Sequence, residues 1–561
     1  MRADDWIVDY LQKKGVTDVF GIPGVVVMDF LYAIDRRKPD IAPHLCFHEQ
    51  GASFAACGYA QTTGKLGVAY STRGPGFTNM ITAMADAYYD SVPVMFITAH
   101  SSRELKNGMR VMDNQEIDTV ALAKKITKRA TRIDTIDELQ NEVIAAFRCA
   151  TEGRKGPVFL DIYNKLFSEE VKELDDDSDT ESTMDDRKFI ATIEKELSSS
   201  KRPVILIGNG AHGGSNASLL LEIAEKYRIP ILSSRVSQDI IPQSHFYFGY
   251  VGSRATRYSN FVLSKSDLII SIGNRMAFPE KSASFSPVVN KAKIIRIDID
   301  ETEFIRKFPN SVFFKLSSES ALTSILNANF SLDTQEWLDI CNILRKKLNN
   351  YDNNYVISNI MTILEKAEEE YPVVCDVGNH SFWVSTAYAY QRVANRIMYS
   401  GSFGTLGSAL PKSIGAYYSS RKPVICFTGD QGVQFNIQEL QYIASHNLPI
   451  SIVILNNYSS GMIMEREKDK YSDYLVHTTQ DSGYSFPNFE KIAACYGLDY
   501  IRISKDANCE MLLSDIFNNP TIIEIIIDQN TRLEPSLPAG KSCQDLFPEL
   551  PRDLFEELNL L

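Results

Sequence analysis

Two stretches decide the fold: Val424-Ile425-Cys426-Phe427-Thr428-Gly429-Asp430-Gln431-Gly432, and then Pro449-Ile450-Ser451-Ile452-Val453-Ile454-Leu455-Asn456-Asn457. Each is an unbroken apolar run that ends in polar residues. Such runs, rich in Val and Ile, predict strands buried on both faces of a parallel sheet. Asp430 follows the first run and Asn457 the second, so both side chains are expected at one sheet edge. Ligands of open α/β sheets gather at that edge. The helical stretch after Gly432 offers unpaired N–H groups and a positive dipole end, which suits a diphosphate. A carboxylate oxygen and an amide oxygen are hard ligands that suit Mg²⁺. Taken alone, the pair reads first as a turn aspartate and an Asx-turn asparagine, because both are common at strand ends.

Working outward, similar runs occur at Val94–Thr98, Val204–Ile207, Leu268–Ile272, Ile294–Ile297 and Ile522–Ile527. Amphipathic stretches lie between them, which predicts an α/β protein of repeated β-α-β units. The acidic run within residues 168–188 (Asp175 to Glu181) and the polar Asn349–Asn354 read as linkers. They divide the chain into 1–167, 189–345 and 355–530, with a tail at 531–561. The first and third pieces echo each other. Thr72-Arg73-Gly74-Pro75-Gly76 and Thr428-Gly429-Asp430-Gln431-Gly432 both follow a strand. The same 21-residue interval separates Thr72 from Pro93 and Thr428 from Pro449. Two domains of one topology are therefore expected.

At 561 residues the chain is too long for a single small binding module. Its 44% hydrophobic content excludes a largely disordered chain. A net charge of −13 argues against nucleic acid or anionic membrane as the main partner. The nine cysteines lack any Cys-x-x-Cys spacing and fit buried thiols in a reducing compartment. With no signal-peptide pattern at the start and no 18-residue apolar run, a cytoplasmic location is the expectation.

Gly-Asp-x-Gly followed 27 residues later by Asn457 resembles the signature of thiamine-diphosphate-dependent enzymes. The resemblance is to the acetolactate synthase branch, and it runs nearly end to end. It includes Phe20-Gly21-Ile22-Pro23-Gly24, His48-Glu49-Gln50-Gly51-Ala52, Gly74-Pro75-Gly76-Phe77-Thr78-Asn79, Gly404-Thr405-Leu406-Gly407 and Asn436-Ile437-Gln438-Glu439-Leu440. It implies three α/β domains with doubly wound parallel sheets. It implies thiamine diphosphate, with Mg²⁺ held by Asp430, Asn457 and the Ser459 carbonyl. It implies that Glu49 is the activating acid, since a carboxyl group bonded to the aminopyrimidine favours the imine that deprotonates the thiazolium. Gln115 matches an active-site glutamine. Pro23, Gly24, Thr72, Gly76 and Asn79 are implied on the pyrimidine side. Gly378, Asn379, His380, Gly404, Leu406, Gly429, Gln431, Gly432, Gly461 and Met462 are implied around the rest of the cofactor. Leu406 matches the wedge that bends the cofactor. The family's active site forms between subunits, so a homodimer or homotetramer is implied.

The chain also departs from the pattern. Arg466 replaces a tryptophan tied to acceptor choice, and a guanidinium there can clamp a carboxylate or phosphate. Val25 and Asn114 replace a glycine and an aromatic residue of the pocket. Gln431 replaces the last residue of Gly-Asp-Gly. Gly208-Asn209-Gly210-Ala211-His212-Gly213 is a weak dinucleotide string. Gly273–Phe278 lacks the family's Asp-Asp-Arg, so FAD is an open expectation. The tandem histidines of simple decarboxylases are absent, which favours carboligation. The expected activity is decarboxylation of a 2-oxo acid, pyruvate first, with acyl transfer to a carbonyl acceptor. The alternatives are transfer to a nucleotide-linked keto sugar, plain decarboxylation, a flavin or nicotinamide oxidoreductase, and an inactive regulatory subunit.

Overall fold

The computed structural model describes residues 1–102, 109, 113–172, 174, 186–277, 283–505 and 516–561. Most of the acidic linker lies outside these residues, as does Phe278.

Among the described residues eighteen strands form three six-stranded sheets, and every pairing within them is parallel. The first sheet holds β1 (Asp18–Gly21), β2 (Ala42–Leu45), β3 (Gly67–Tyr70), β4 (Val94–His100), β5 (Arg129–Ile133) and β6 (Val158–Tyr163). Its order is β2-β1-β3-β4-β6-β5. The third holds β13 (Val373–Cys375), β14 (Ile397–Tyr399), β15 (Val424–Gly429), β16 (Ile450–Asn456), β17 (Asp499–Ile503) and β18 (Thr521–Ile526). Its order, β14-β13-β15-β16-β18-β17, is the same topology. The expected echo therefore extends to the whole sheet: β3 corresponds to β15, and β4 to β16.

The middle sheet holds β7 (Pro203–Ile207), β8 (Ile231–Ser233), β9 (Tyr247–Tyr250), β10 (Leu268–Ile272), β11 (Lys293–Asp298) and β12 (Ser311–Lys315). Its order is β12-β11-β10-β7-β8-β9, the doubly wound dinucleotide-fold order. All seven apolar runs named above form strands, because continuous Val/Ile patterning suits a sheet covered by helices on both faces.

The chain forms two compact units. One comprises residues 1–179, 370–381 and 396–531, and so holds the first and third sheets. The other comprises 180–369, 382–395 and 532–561, which joins the middle sheet to the C-terminal tail. In this second unit Arg257 is buried and bonds Asp352 bidentately at 2.7–2.9 Å. It also donates to the carbonyls of Leu546 and Pro548 at 3.0 and 2.7 Å, tying down the tail.

In the first unit, the helices Glu49–Thr63 and Ala409–Ser420 cross in near backbone contact. A Cβ on Gly415 would lie 1.8 Å from the Ala55 carbonyl oxygen, and one on Gly58 would lie 2.0 Å from that of Lys412. Only glycine permits this approach. One apolar cluster, including Ala55, Ala56, Phe77, Leu410, Ile414 and Leu440, then spans both sheets' helices.

Candidate functional site

The residues expected on the pyrimidine side converge at the C-terminal ends of β1, β2 and β3. Glu49 is half-buried and opens the helix Glu49–Thr63. Asn79 donates from Nδ2 to Glu49 Oε2 at 2.9 Å. Gly76 is beside it: a Cβ there would stand 3.4 Å from Glu49 Oε1 and 2.9 Å from the Thr72 methyl. Gly24 packs on Thr72, where a Cβ would stand 2.5 Å from the threonine Cβ. Glu49, Asn79, Gly76, Thr72 and Gly24 thus form one cluster, with Pro23 on the same turn. Gln115 packs against this loop through its backbone, since a Cβ on Gly74 would lie 2.4 Å from the Gln115 oxygen. Gln115 and Asn114 are exposed, and Gln115 holds a left-handed φ of 59°. Such a backbone is uncommon outside glycine and fixes where this segment turns.

The second cluster lies at the C-terminal ends of β13, β15 and β16. Asp430 directly follows β15 and Asn457 directly follows β16, adjacent parallel strands in register through Gly429 and Leu455. Asp430 is buried, and that burial pushes its carboxyl up to about 7, with a bond from the Tyr484 hydroxyl (3.1 Å) opposing. Gly461 begins the helix Gly461–Tyr471 tight against Asn457, its virtual Cβ 2.4 Å from Nδ2. Asn379 Nδ2 lies 3.3 Å from the same point. The Ser459 carbonyl accepts from Gly461 N at 2.8 Å.

Two buried oxygens here, Asn379 Oδ1 and Ser459 Oγ, have no hydrogen-bond partner. Orphaned buried polar atoms call for a ligand or water. A buried carboxylate, two amide side chains and a helix N-terminus at one sheet edge fit a metal-bound diphosphate. Among the described residues no group of three or more His, Cys, Asp or Glu side chains could hold a metal. A metal held at this edge would have to rest on mixed oxygen donors. His380 packs beside Gly378 and Gly429, whose virtual Cβ atoms fall 2.6 and 3.2 Å from its ring.

Leu406 is half-exposed on a turn held from several directions. Asp376, at the end of β13, accepts Gly407 N at 2.9 and 3.0 Å and the Thr428 hydroxyl at 3.0 Å. Asp86, from the helix Pro75–Asp90, is buried and accepts from Lys412 Nζ at 2.8 Å and the Thr405 hydroxyl at 2.9 Å, while Ser400 also donates to it. Asp90 accepts Gly401 N and Ser402 N at 2.7 and 2.8 Å. Gly404, on the same turn, takes a φ of 75°. Sequence reasoning assigned no role to Asp376, Asp86, Lys412 or Tyr484. Asp376 carried a usable signal, because it ends a strand as Asp430 does.

A pocket of about 540 Å³ opens beside the Asp430 loop, lined by Gln431, Gln434, Phe435, His477, Gly483, Tyr484 and Ser485. Gln431 thus faces open space instead of breaking the turn, which Gly432 completes against Asp376, 2.7 Å from its virtual Cβ. Met462 and Arg466 lie one helical turn apart on Gly461–Tyr471, with Arg466 exposed. Val25 is 83% exposed.

Three family models match the chain in order. They are the thiamine pyrophosphate enzyme N-terminal TPP binding domain (residues 1–122), central domain (190–325) and C-terminal TPP binding domain (376–525). The chain belongs to the thiamine pyrophosphate enzymes. It lies in their acetolactate-synthase-like branch. It is 31% identical to the acetolactate synthase large subunit of Lactococcus lactis, over 96% of this chain and 95% of the relative. It is 29% identical to the acetolactate synthase isozyme 2 large subunit of Escherichia coli, over 98% and 100%. It is also 29% identical to a probable acetolactate synthase large subunit of Methanocaldococcus jannaschii, over 100% and 98%.

In this thiamine pyrophosphate enzyme the glycine string of the central domain packs on its own backbone. Virtual Cβ atoms on Gly208 and Gly210 fall 2.2 Å from the Gly273 carbonyl oxygen and 2.9 Å from its Cα. Glu319 stands at the N-terminus of the helix Asn216–Tyr227, accepting from the Ser215 hydroxyl at 2.6 Å. A carboxylate in that place repels a second anion. The residues on this turn do not fit a dinucleotide diphosphate, so no step is assigned to a flavin. No helix among the described residues is long and apolar enough to cross a membrane.

Proposed function

We propose that this enzyme decarboxylates a 2-oxo acid, with pyruvate as donor, and transfers the resulting acyl unit to a carbonyl acceptor. Bound thiamine diphosphate supplies the electron sink for that chemistry. The observation that carries the reading is the pair of half-sites at matching edges of two sheets of one topology. One centres on Glu49 with Asn79, the other on Asp430 with Asn457.

In this reading Asp430, Asn457 and the Ser459 carbonyl hold Mg²⁺ against the diphosphate. The orphaned Asn379 Oδ1 and Ser459 Oγ gain polar partners when that site fills. Glu49 shares a proton with the aminopyrimidine ring, and Asn79 holds the other carboxylate oxygen in place. The Gly24 and Gly76 turns leave room for the ring, and Gln115 borders the reacting centre. Leu406 supports the bend of the cofactor on a turn fixed by Asp376 and Asp86. Val25 and Asn114 line the donor side.

Two copies of the chain build each site, with Glu49 of one copy facing the cofactor held by Asp430 of the other. Exposed apolar side chains flank both half-sites and support that pairing. Val25 follows β1, and Leu45 and Phe47 end and follow β2 ahead of Glu49, while Leu406 and Phe435 lie beside the Gly407 and Gly432 turns; all five are exposed. The domain boundaries we assign are 1–167, 189–345 and 355–530, with 531–561 as a tail. Dispersed cysteines without any Cys-x-x-Cys spacing support a cytoplasmic enzyme.

Glu49→Gln tests the central claim. The variant is expected to retain cofactor and Mg²⁺ by calorimetry while turnover of pyruvate falls at least about 100-fold, the lower range for a lost acid–base group. Wild-type turnover in that variant overturns the mechanism. Arg466 reads an anionic acceptor in this scheme, because a guanidinium binds carboxylate or phosphate through paired N–H donors. Arg466→Trp is therefore expected to change the product ratio from labelled pyruvate and mixed acceptors. An unchanged ratio removes Arg466 from acceptor choice.

A further inference from the structure

Glu49 is the first residue of its helix, so whatever fixes the first turn also fixes that carboxylate. A helix leaves its first N–H groups without internal partners. In a capping box the N-cap side chain satisfies one such group. A Glu three residues on reaches back to the N-cap N–H. Half of that box is local here, since the His48 ring accepts Gln50 N through Nδ1 at 3.1 Å. The other half is missing from the helix, because its third residue is Gly51.

Glu439 takes the missing place. Its Oε1 accepts His48 N and Phe47 N, each at 3.1 Å, and Oε2 lies 3.2 Å from Phe47 N. A Cβ on Gly51 would stand 2.2 Å from Glu439 Oε1, and its three nearest atoms all belong to Glu439. Glu439 is fully buried, and burial pushes its carboxyl up to about 7 against the bonds from Phe47 and His48. It opens the helix Glu439–Ser445, which follows the turn Gly432–Asn436 that descends from Asp430.

We propose that Glu439 is a positioning residue for Glu49, completing from the third sheet's domain a capping box that the helix Glu49–Thr63 cannot complete itself. This rests on the reading of Glu49 as the activating acid. The consequence is a link between the two half-site clusters of one chain. The aim of Glu49 depends on a side chain carried by the metal-loop segment.

The test compares Glu439→Ala, Glu439→Gln, Glu439→Ala/Gly51→Glu and Glu49→Gln in the full-length protein. The double variant rebuilds the box within the helix, because the new glutamate occupies the volume that Glu439 vacates. Without cofactor, hydrogen exchange read by mass spectrometry on a peptide spanning residues 44–54 is expected to speed up in Glu439→Ala and slow again in the double variant. With thiamine diphosphate and Mg²⁺, exchange of the cofactor C2 proton and kcat are expected to fall together in Glu439→Ala by about 100-fold, the scale of a 1 Å misplacement. KM for pyruvate is expected to change little. The double variant and Glu439→Gln, which keeps one acceptor oxygen, are expected to recover most of the loss.

Wild-type C2 exchange in Glu439→Ala overturns the proposal. So does a double variant that folds and binds cofactor without recovering exchange. Should Glu439→Ala not fold, the double variant must fold and turn over, and its failure to do so overturns the proposal as well. Wild-type exchange in Glu49→Gln strikes instead at the role of Glu49 itself.

Discussion

At Asp430 the deciding neighbour is a hydroxyl. Tyr484 donates to Asp430 Oδ2 at 3.1 Å and is itself buried at the edge of the adjoining pocket. A carboxylate bonded in this way is held in one orientation, ready for the metal proposed above. Outer partners of metal ligands are worth roughly 10- to 100-fold in affinity. Tyr484→Phe is therefore expected to weaken Mg²⁺-dependent cofactor binding by about tenfold. Its kcat at saturating Mg²⁺ should stay within a few-fold of wild type. Titration of Mg²⁺ at fixed cofactor concentration measures this, and an unchanged midpoint refutes it. The position of single residues was legible wherever it follows directly from a strand end, as at Asp430 and Asn457. Tyr484 was not legible, because it lies 54 residues along the chain and meets Asp430 only through folding.

At the scale of elements, Asp376 joins three. It ends β13, holds Gly407 after β14, and takes the Thr428 hydroxyl on β15. Burial pushes its carboxyl up to about 6, against bonds from Val377, Thr428 and Gly407. A folded-state value raised above the unfolded one makes the native state bind the proton more tightly. The associated stability is present below the ordinary carboxylate range and is lost as pH rises through about 6. Between about pH 4 and 7 the wild type is expected to lose roughly 2 kcal/mol relative to Asp376→Asn. Urea unfolding of both proteins at the two pH values measures it, and a constant difference would sink the assignment. The long Val/Ile strands were readable because both faces are covered. The three-residue strands β8, β13 and β14 offered no period long enough to read. Asp86 and Lys412 pair inside the fold across 326 residues, and local sequence carries no trace of that pairing.

Across the whole molecule, the first and third sheets share one unit because two helices meet without side chains between them. Gly415→Ala puts a methyl group 1.8 Å from the Ala55 carbonyl oxygen. Backbone must shift to admit it, and overpacking of this kind costs about 1–3 kcal/mol. A lower urea midpoint with an unchanged slope is expected, and an unchanged midpoint would show that the crossing is loose. The C-terminal residues 532–561 belong with the middle sheet, held there by Arg257, although they follow the third sheet in sequence. By itself the amino-acid order determined the α/β class, the repeated topology, and the places of Asp430 and Asn457 at adjacent strand ends. Each of these depends on short-range pattern: apolar runs, glycine turns, and polar residues at strand ends. Only the tertiary structure decided what holds those residues in position. Glu439 on the Glu49 helix, Asp86 beneath the Leu406 turn and Glu319 across the central glycine turn are contacts between distant segments. A buried carboxylate and a solvated one are spelled alike in sequence, and only burial and its partners tell them apart.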